Sequence, residues 1–369
     1  INVDNSAISY ENGLRIPREN LKLKVAPKDS SLLCIEGGSA GRKIACTNQE
    51  ICFVNKLACF AIKEGSNSKY LFFSLKGSPF QTQFKLSMTG MIGGVAISSI
   101  NNFILTIPPL KEQTAIAQFL DDKTTKIDEA ITLKQQQIDL LKERKHILIH
   151  KVVTRGLNDT VKLKDTGVEW IGEIPEHWEF IKVKNIFRLV IEPAEKNNDY
   201  ELLSVYTDIG VKPRAELEER GNKASTTDGY WLVKKGDIIV NKLLAWMGAI
   251  GISDYDGVTS PAYDILRPTR PISGYFYHNL FRTSYCKLEL KKHSRGIMDM
   301  RLRLYFDKFG NVKVPYPPFN EQKQIVEYIE SASQKIETAI SLKQHEIEKL
   351  KEYKSSLINS VVSGKVKVC

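Results

Sequence analysis

The stretch PPLKEQTAIAQFLDDKTTKIDEAITLKQQQIDLLKERKHILIHKVV, residues 108–153, returns as PPFNEQKQIVEYIESASQKIETAISLKQHEIEKLKEYKSSLINSVV, residues 317–362. The offset is 209 residues without a gap, and 21 of the 46 positions are identical. Identity of that extent marks an internal repeat, and a repeat organises everything around it. Past the paired prolines neither copy contains Pro or Gly until Gly156 and Gly364, so each predicts one long helix with prolines at its entry and a glycine at its exit. Glu112 and Glu321 fall in the first turn, where a carboxylate suits the helix dipole. Asn320 is the expected N-cap of the second copy, whereas Lys111 is a poor one in the first.

The apolar residues of each copy follow a heptad. The seam of the first is Ile127, Ile131, Ile138, Leu141, Leu148 and Val152, and that of the second is Ile336, Ile340, Ile347, Leu350, Leu357 and Val361. Lys134 and Lys145 interrupt the first seam, and Lys343 and Lys354 interrupt the second at equivalent places. We expect these lysines to snorkel to solvent. A helix of about 40 residues is about 60 Å long and must bury its stripe. The partner expected is the other copy, in a coiled coil; the heptads leave its direction, parallel or antiparallel, open.

Between the helices lie globular segments, which divide the chain into residues 1–106, 107–158 (helical), 159–314 and 315–369 (helical). The stretch from Leu32, LLCIEGGSAGRKIACTNQEICFVNKLACFAI, loosely parallels IIVNKLLAWMGAIGISDYDGVTSPAYDIL from Ile238. Each is followed by a Tyr/Phe-rich helical segment and a Gly-containing loop that leads into the prolines. Short β-like runs separated by turn residues, as in YWLVKKGDIIV, predict α+β domains with strands curled into a barrel-like sheet. Nothing before Ile1 matches the stretch from Trp170 to about Val205, so the first domain is expected to lack its opening.

The chain has 369 residues and a formal net charge of +10, which favours a polyanionic partner. The excess is +5 over residues 1–106 and +3 over 161–314, but only +1 in each helical stretch. It therefore sits on the globular segments. The longest apolar run, residues 243–252, is too short to cross a bilayer. None of the six cysteines forms a C-x-x-C pair and no histidine pair follows at zinc-finger spacing, which argues for reduced thiols in a cytoplasmic setting and against a metal site. No cofactor is expected. Tyr316 and Ile107 stand where an amino-methyltransferase would hold its target with Asn or Asp. GGSAGRK fails the spacing of a phosphate-binding loop. His146 and His150 share a helix face, read as an exposed heptad flank.

The repeated PPLKEQ and PPFNEQ with their long helices resemble the conserved regions of the specificity subunits of type I restriction-modification systems. TGVEWIGEIPEHWEFIKVKNIF, from Thr166, resembles the opening of that family's target recognition domains. The resemblance covers essentially the whole chain. It implies two target recognition domains, the first partial, separated by two conserved helices in a pseudo-twofold arrangement. It also implies a non-catalytic subunit whose domains each read one half of a bipartite, asymmetric site in double-stranded DNA. The helices would set the spacer and dock methylation subunits, in two copies, with the restriction and motor subunit joining through the complex. The alternative is a coiled-coil scaffold whose domains bind protein without reading DNA.

Candidate DNA contacts follow from charge. Residues 287–304, KLELKKHSRGIMDMRLRL, carry Lys287, Lys291, Lys292, Arg295, Arg301 and Arg303 against Glu289 and Asp299. Arginines read guanine and lysines hold phosphates; Ser294 lies in the same turn, and Gly296 would let backbone approach closely. The equivalent loop of the first domain offers Lys85, Ser87 and Thr89, and GGSAGRK offers Arg42 and Lys43, with Asn241, Lys242 and Trp246 as the counterpart in the second domain. The bland reading is a solvated helix end with ordinary salt bridges.

Overall fold

A computed structural model describes residues 8–11, 15, 23–90, 93–216 and 227–368, so Cys369 lies outside the described residues. The chain divides into two compact units, residues 1–138 with 341–369, and residues 139–340. The long helices are not units of their own. Each unit takes part of both.

The first unit holds β1 (Lys24–Ala26), β2 (Ser31–Cys34), β3 (Ile44–Cys46), β4 (Ile51–Phe53), β5 (Leu57–Phe60), α1 (Ser68–Lys76), α2 (Ser78–Leu86), the short α3 (Ile97–Ile100) and the start of α4 (Leu110–Arg155). β2 is the centre of an antiparallel sheet of order β3-β2-β5 and is buried along its length, while β1 pairs with β4. Asn67 caps α1 by accepting from the Tyr70 amide at 3.0 Å, and Pro79 sits in the first turn of α2, where its missing N–H costs nothing. Leu33, Ile44, Leu75, Phe80 and Phe84 fill the space between sheet and helices.

The second unit opens with β6 (Leu163–Asp165), β7 (Glu173–Pro175), β8 (Glu179–Lys182), β9 (Phe187–Val190), β10 (Leu203–Tyr206) and β11 (Gly210–Pro213). It continues with β12 (Trp231–Val233), β13 (Ile238–Asn241), β14 (Ile250–Ile252), β15 (Gly257–Thr259) and β16 (Tyr263–Pro268). α5 (Gly274–Phe281), α6 (Ser284–His293), the short α7 (Phe306–Phe309) and β17 (Lys313–Tyr316) lead to α8 (Phe319–Val362). The main sheet is antiparallel, β14-β13-β16-β9, and bridges between Pro193 and Trp231 and between Leu202 and Val258 carry it on to the β12–β15 and β10–β11 ladders, so these strands form the curled, barrel-like series expected. Trp178, Phe187, Phe276, Tyr277, Phe281 and Phe309 form the core, against which Val152, Val153, Ile325 and Ile329 of the long helices pack.

The loose sequence parallel between the units is a structural equivalence. Leu32 of β2 faces Ala45 and Cys59; Ile239 of β13 faces Gly251 and Ile265. The β1–β4 ladder corresponds in the same way to β12–β15.

Both helices run nearly as predicted. Gly156 and Gly364 follow their last turns with φ of +75° and +73°, the left-handed conformation that glycine adopts without strain. Phe319 is already helical, so Asn320 lies within the first turn of α8 and is not its cap. The pairing is antiparallel. In the first unit Asp128 meets Lys354 at 2.6 Å and Lys134 meets Glu346 at 2.5 Å, one number rising as the other falls. In the second unit Lys145 meets Glu337 at 2.6 Å. These contacts correct the expectation for the seam lysines. Three of them bond carboxylates across the seam instead of snorkelling free, and Lys343 lies 3.8 Å from Glu346 on its own helix. Ile127, Ile138, Val152, Ile347 and Val361 are buried. Ile131, Leu141, Leu148, Ile336, Ile340, Leu350 and Leu357 are half-buried, since two helices alone leave one side of their seam open.

Candidate nucleic-acid interface

The Gln of each KEQ/NEQ motif anchors a globular unit to its helix. Gln113 donates to the Pro108 carbonyl at 2.8 Å and accepts from the Asn67 amide at 2.9 Å. Gln322 does the same with Pro317 and Ser273, at 2.8 Å each. They are 2% and 0% exposed, so each buried side-chain amide ties a helix cap to a proline carbonyl and is itself satisfied by both. Sequence reading missed this role, although the identity of the motif in both copies was its signal. Glu321 is likewise more than a dipole partner: it accepts from the Trp178 indole at 2.9 Å and contacts His177 at 2.8 Å.

Past α6 the chain forms a small hairpin. Arg295 and Arg303 exchange two backbone hydrogen bonds of 2.9 Å. Leu304 then donates to the carbonyl of Lys242 at 2.8 Å, fastening the hairpin to the turn that follows β13. The first unit repeats the arrangement. Thr89 and Gly94 pair, and Val95 donates to the carbonyl of Ile35 just after β2. Gly37 also donates to Gly93 at 2.9 Å. In each unit the structure therefore joins the two loops that sequence had singled out separately.

Of the six basic residues around the second hairpin, several are partnered. Lys291 pairs with Asp299 at 2.8 Å and lies 4.8 Å from the centre of the Trp246 ring. Lys292 pairs with Glu289 at 3.3 Å, as His293 does at 3.2 Å. Arg295 pairs with Asp307 at 3.2 Å, a carboxylate beyond the stretch read for charge. Burial, aided by the neighbouring Arg282, holds Lys287 below the usual lysine range. Arg301 and Arg303 are exposed and have no side-chain partner among the described residues. Exposed pairs of this kind are worth at most about 1 kcal/mol and open readily for a stronger anion. The helix end thus carries ordinary salt bridges, and the two arginines beyond it carry none among the described residues.

Other candidates have work inside the fold. Asn241 is 6% exposed and accepts from the Leu243 amide at 3.1 Å. Lys242 donates to the Pro261 carbonyl at 2.9 Å and meets Asp264, whose carboxyl is raised by burial against the pull of that lysine. Both therefore support the turn that follows β13. Gly296 is close to backbone, but the backbone is its own: a Cβ there would stand 2.5 Å from the Arg301 carbonyl oxygen. Ser294 donates to the Leu290 carbonyl and ends α6. In the first unit Arg42 donates to the Gly38 carbonyl at 2.7 Å and Lys43 is half-buried, while Lys85 and Thr89 are exposed and the Ser87 amide closes α2. His146 is exposed, but His150 is not a free flank. It stacks on Tyr285 at 4.2 Å, its Nδ1 is enclosed without a partner, and burial lowers its pKa.

No group of three or more His, Cys, Asp or Glu that could hold a metal occurs among the described residues. Nor is any described helix long and apolar enough to cross a membrane.

A duplicated α+β unit on a pair of repeated coiled-coil helices, with a fastened loop hairpin in each copy, defines a recognition module built twice in one chain. The model of the type I restriction modification DNA specificity domain matches residues 7–143 and 175–352, and the chain belongs to that family. It is 26% identical to the type I restriction enzyme MjaVIII specificity subunit of Methanocaldococcus jannaschii, over 90% of this chain and 84% of that one. It is also 26% identical to the type I restriction enzyme EcoBI specificity subunit of Escherichia coli, over 63% and 52%. A chain from a structure of assembly and conformational transition in the type I R-M system superposes with a TM-score of 0.71, over 93% of this chain and 84% of that one, at 15% identity. The HsdS subunit from Thermoanaerobacter tengcongensis gives 0.55, over 93% and 83%, also at 15% identity. The last two establish the fold alone.

Proposed function

We propose that this chain is the DNA-reading subunit of a type I restriction-modification complex and performs no catalysis itself. Each unit reads one half of a bipartite DNA site, the helix pair sets the unread spacer, and methylation subunits dock on the repeated helices. The observation that carries this reading is the duplication of the fastened hairpin, with Arg301 and Arg303 unpaired on the second copy. Arg301, Arg303, Lys291, Lys292 and Arg295 are the contacts proposed for the second unit, and Lys85, Thr89, Ser87, Arg42 and Lys43 those for the first. Two readers on one chain gain affinity by effective concentration only when their half-sites match their separation, which is how a split site with a constant spacer is selected.

The test is a comparison of DNA methylation in cells with and without the gene, with the methylation subunit present. Loss of modification at one split motif supports the reading. An unchanged methylome with the complex expressed sinks it and favours the scaffold alternative.

A further inference from the structure

The second hairpin carries an apolar tip on a basic neck. Ile297 is 95% exposed and Met298 is 59% exposed. The neck beneath them is closed by the Arg295–Arg303 pair and by the packing of Gly296 on the Arg301 carbonyl. On the far side Asp299 is tied back to Lys291 at 2.8 Å. Both ends of the tip are therefore held, and the two apolar side chains are turned out between arginines. In isolation this placement does nothing for folding, because a side chain left in water buries no area. The first unit repeats the sequence pattern: Gly90, Met91, Ile92 occupy in the chain the places of Gly296, Ile297, Met298. Charge alone, which differs between the two hairpins, does not explain why an Ile/Met pair follows the glycine in both.

We propose that Ile297 is a base-reading residue that packs against the 5-methyl group of a thymine in the major groove, while Arg301 and Arg303 hold the flanking phosphates or a guanine edge. The tip is a loop closed by a single backbone bridge, the major groove admits elements as wide as a two-stranded ribbon, and the thymine methyl is the one apolar group on its floor. This inference rests on the DNA-reading function proposed above and adds the kind of base read by one residue.

The experiment is selection of a binding motif from randomised duplexes by the full chain with its methylation subunits, for the natural protein and for Ile297→Ala. Each thymine of the selected motif is then replaced by deoxyuridine, which removes only the methyl. The expected result is one thymine, in one half of the motif, whose replacement weakens the natural protein about fourfold and leaves Ile297→Ala unaffected. The variant should also relax the preference at that position and nowhere else. A motif unchanged in sequence and affinity by Ile297→Ala, with no deoxyuridine effect that depends on Ile297, overturns the inference and leaves the DNA-reading function standing. Loss of the methylation subunit from the variant, with DNA selectivity intact, overturns it in favour of a protein contact. Absence of any selected motif for the natural protein removes the functional reading and this inference together.

Discussion

The two units share one plan and differ at the same places on it. Counting from the caps that Gln113 and Gln322 hold, Phe72 of α1 corresponds to His278 of α5, and Lys76 to Arg282. Arg282 donates to the carbonyls of Gly248 and Thr207 at 2.8 and 2.9 Å and more loosely to Tyr206 and Ile250, so it fastens four backbone groups to the helix. Lys76 instead lies with its ammonium 4.6 Å from the centre of the Phe72 ring, and burial, then the charge of Lys354, lowers it to about 8. His278 is enclosed between Gly210 and Gly251, where a Cβ on either would approach its ring within 3 Å. One framework thus tolerates a neutral ring or a titratable one, and a guanidinium staple or a bare ammonium. The duplicated anchors, not these residues, define the unit.

The hairpins offer the largest contrast. The second has two arginines without a side-chain partner among the described residues, and the first offers Lys85 as an exposed base beside its loop. Replacing Arg301 and Arg303 together by Ala should weaken DNA binding by about 4 kcal/mol, with no loss of thermal stability and a salt dependence reduced by roughly two charges. Lys85→Ala should reduce that slope by about one. Equal effects in titrations across salt concentrations would erase the contrast.

The anchors should behave alike. Gln113→Ala and Gln322→Ala each remove two hydrogen bonds of a buried side chain, a loss of about 3 kcal/mol for the unit concerned. All four tryptophans, Trp170, Trp178, Trp231 and Trp246, lie in the second unit. Their fluorescence during urea unfolding should report Gln322→Ala and be largely blind to Gln113→Ala, which hydrogen exchange of α1 should detect.

Acid separates the units next. Burial, then the charge of Arg282, lowers His278 to about 4, and its Nδ1 is enclosed without a partner. An unfolded histidine takes up its proton near 6.5, so the native contribution is whole above that pH and is lost as pH falls toward 4. By pH 4.5 the second unit should lose about 2.5 kcal/mol through this residue. His278→Phe, which installs the residue of the first unit, should flatten that slope in tryptophan-monitored unfolding. A slope unchanged by the substitution places the acid response elsewhere.

The smallest effects belong to the seam. Lys145 and Glu337 are 28% and 65% exposed, and a double-mutant cycle should return less than about 1 kcal/mol, screened by salt. Its repeat equivalent, Lys354 with Asp128, is 13% and 34% exposed and should couple more strongly. A reversed ranking would mean that solvent access does not set the strength of these pairs.

Much of the molecule was legible in its residues because the relevant information is local or repeated. Heptad spacing, paired prolines and exit glycines are short-range signals, and they located both helices to within a residue or two. Identity between copies exposed the duplication, and the parallel between the stretches from Leu32 and Ile238 pointed to equivalent sheets. Counts of charge located the basic hairpin. What tertiary structure alone decided concerns which neighbour each side chain meets. A heptad has the same period in either direction, so only the contacts of Lys134, Lys145 and Lys354 showed the helices to be antiparallel and turned seam lysines into cross-helix ion pairs. Asn241 and Lys242 look free in a list of polar residues, and folding gives both partners within or beside a turn. Asp307 neutralises Arg295 from beyond the stretch that composition had weighed. Gly296 makes room for its own chain. Gln113 and Gln322 become anchors only because folding brings a helix cap 46 and 49 residues away to their amides. Period and composition are properties of a chain, whereas partnership and burial belong to its packed form.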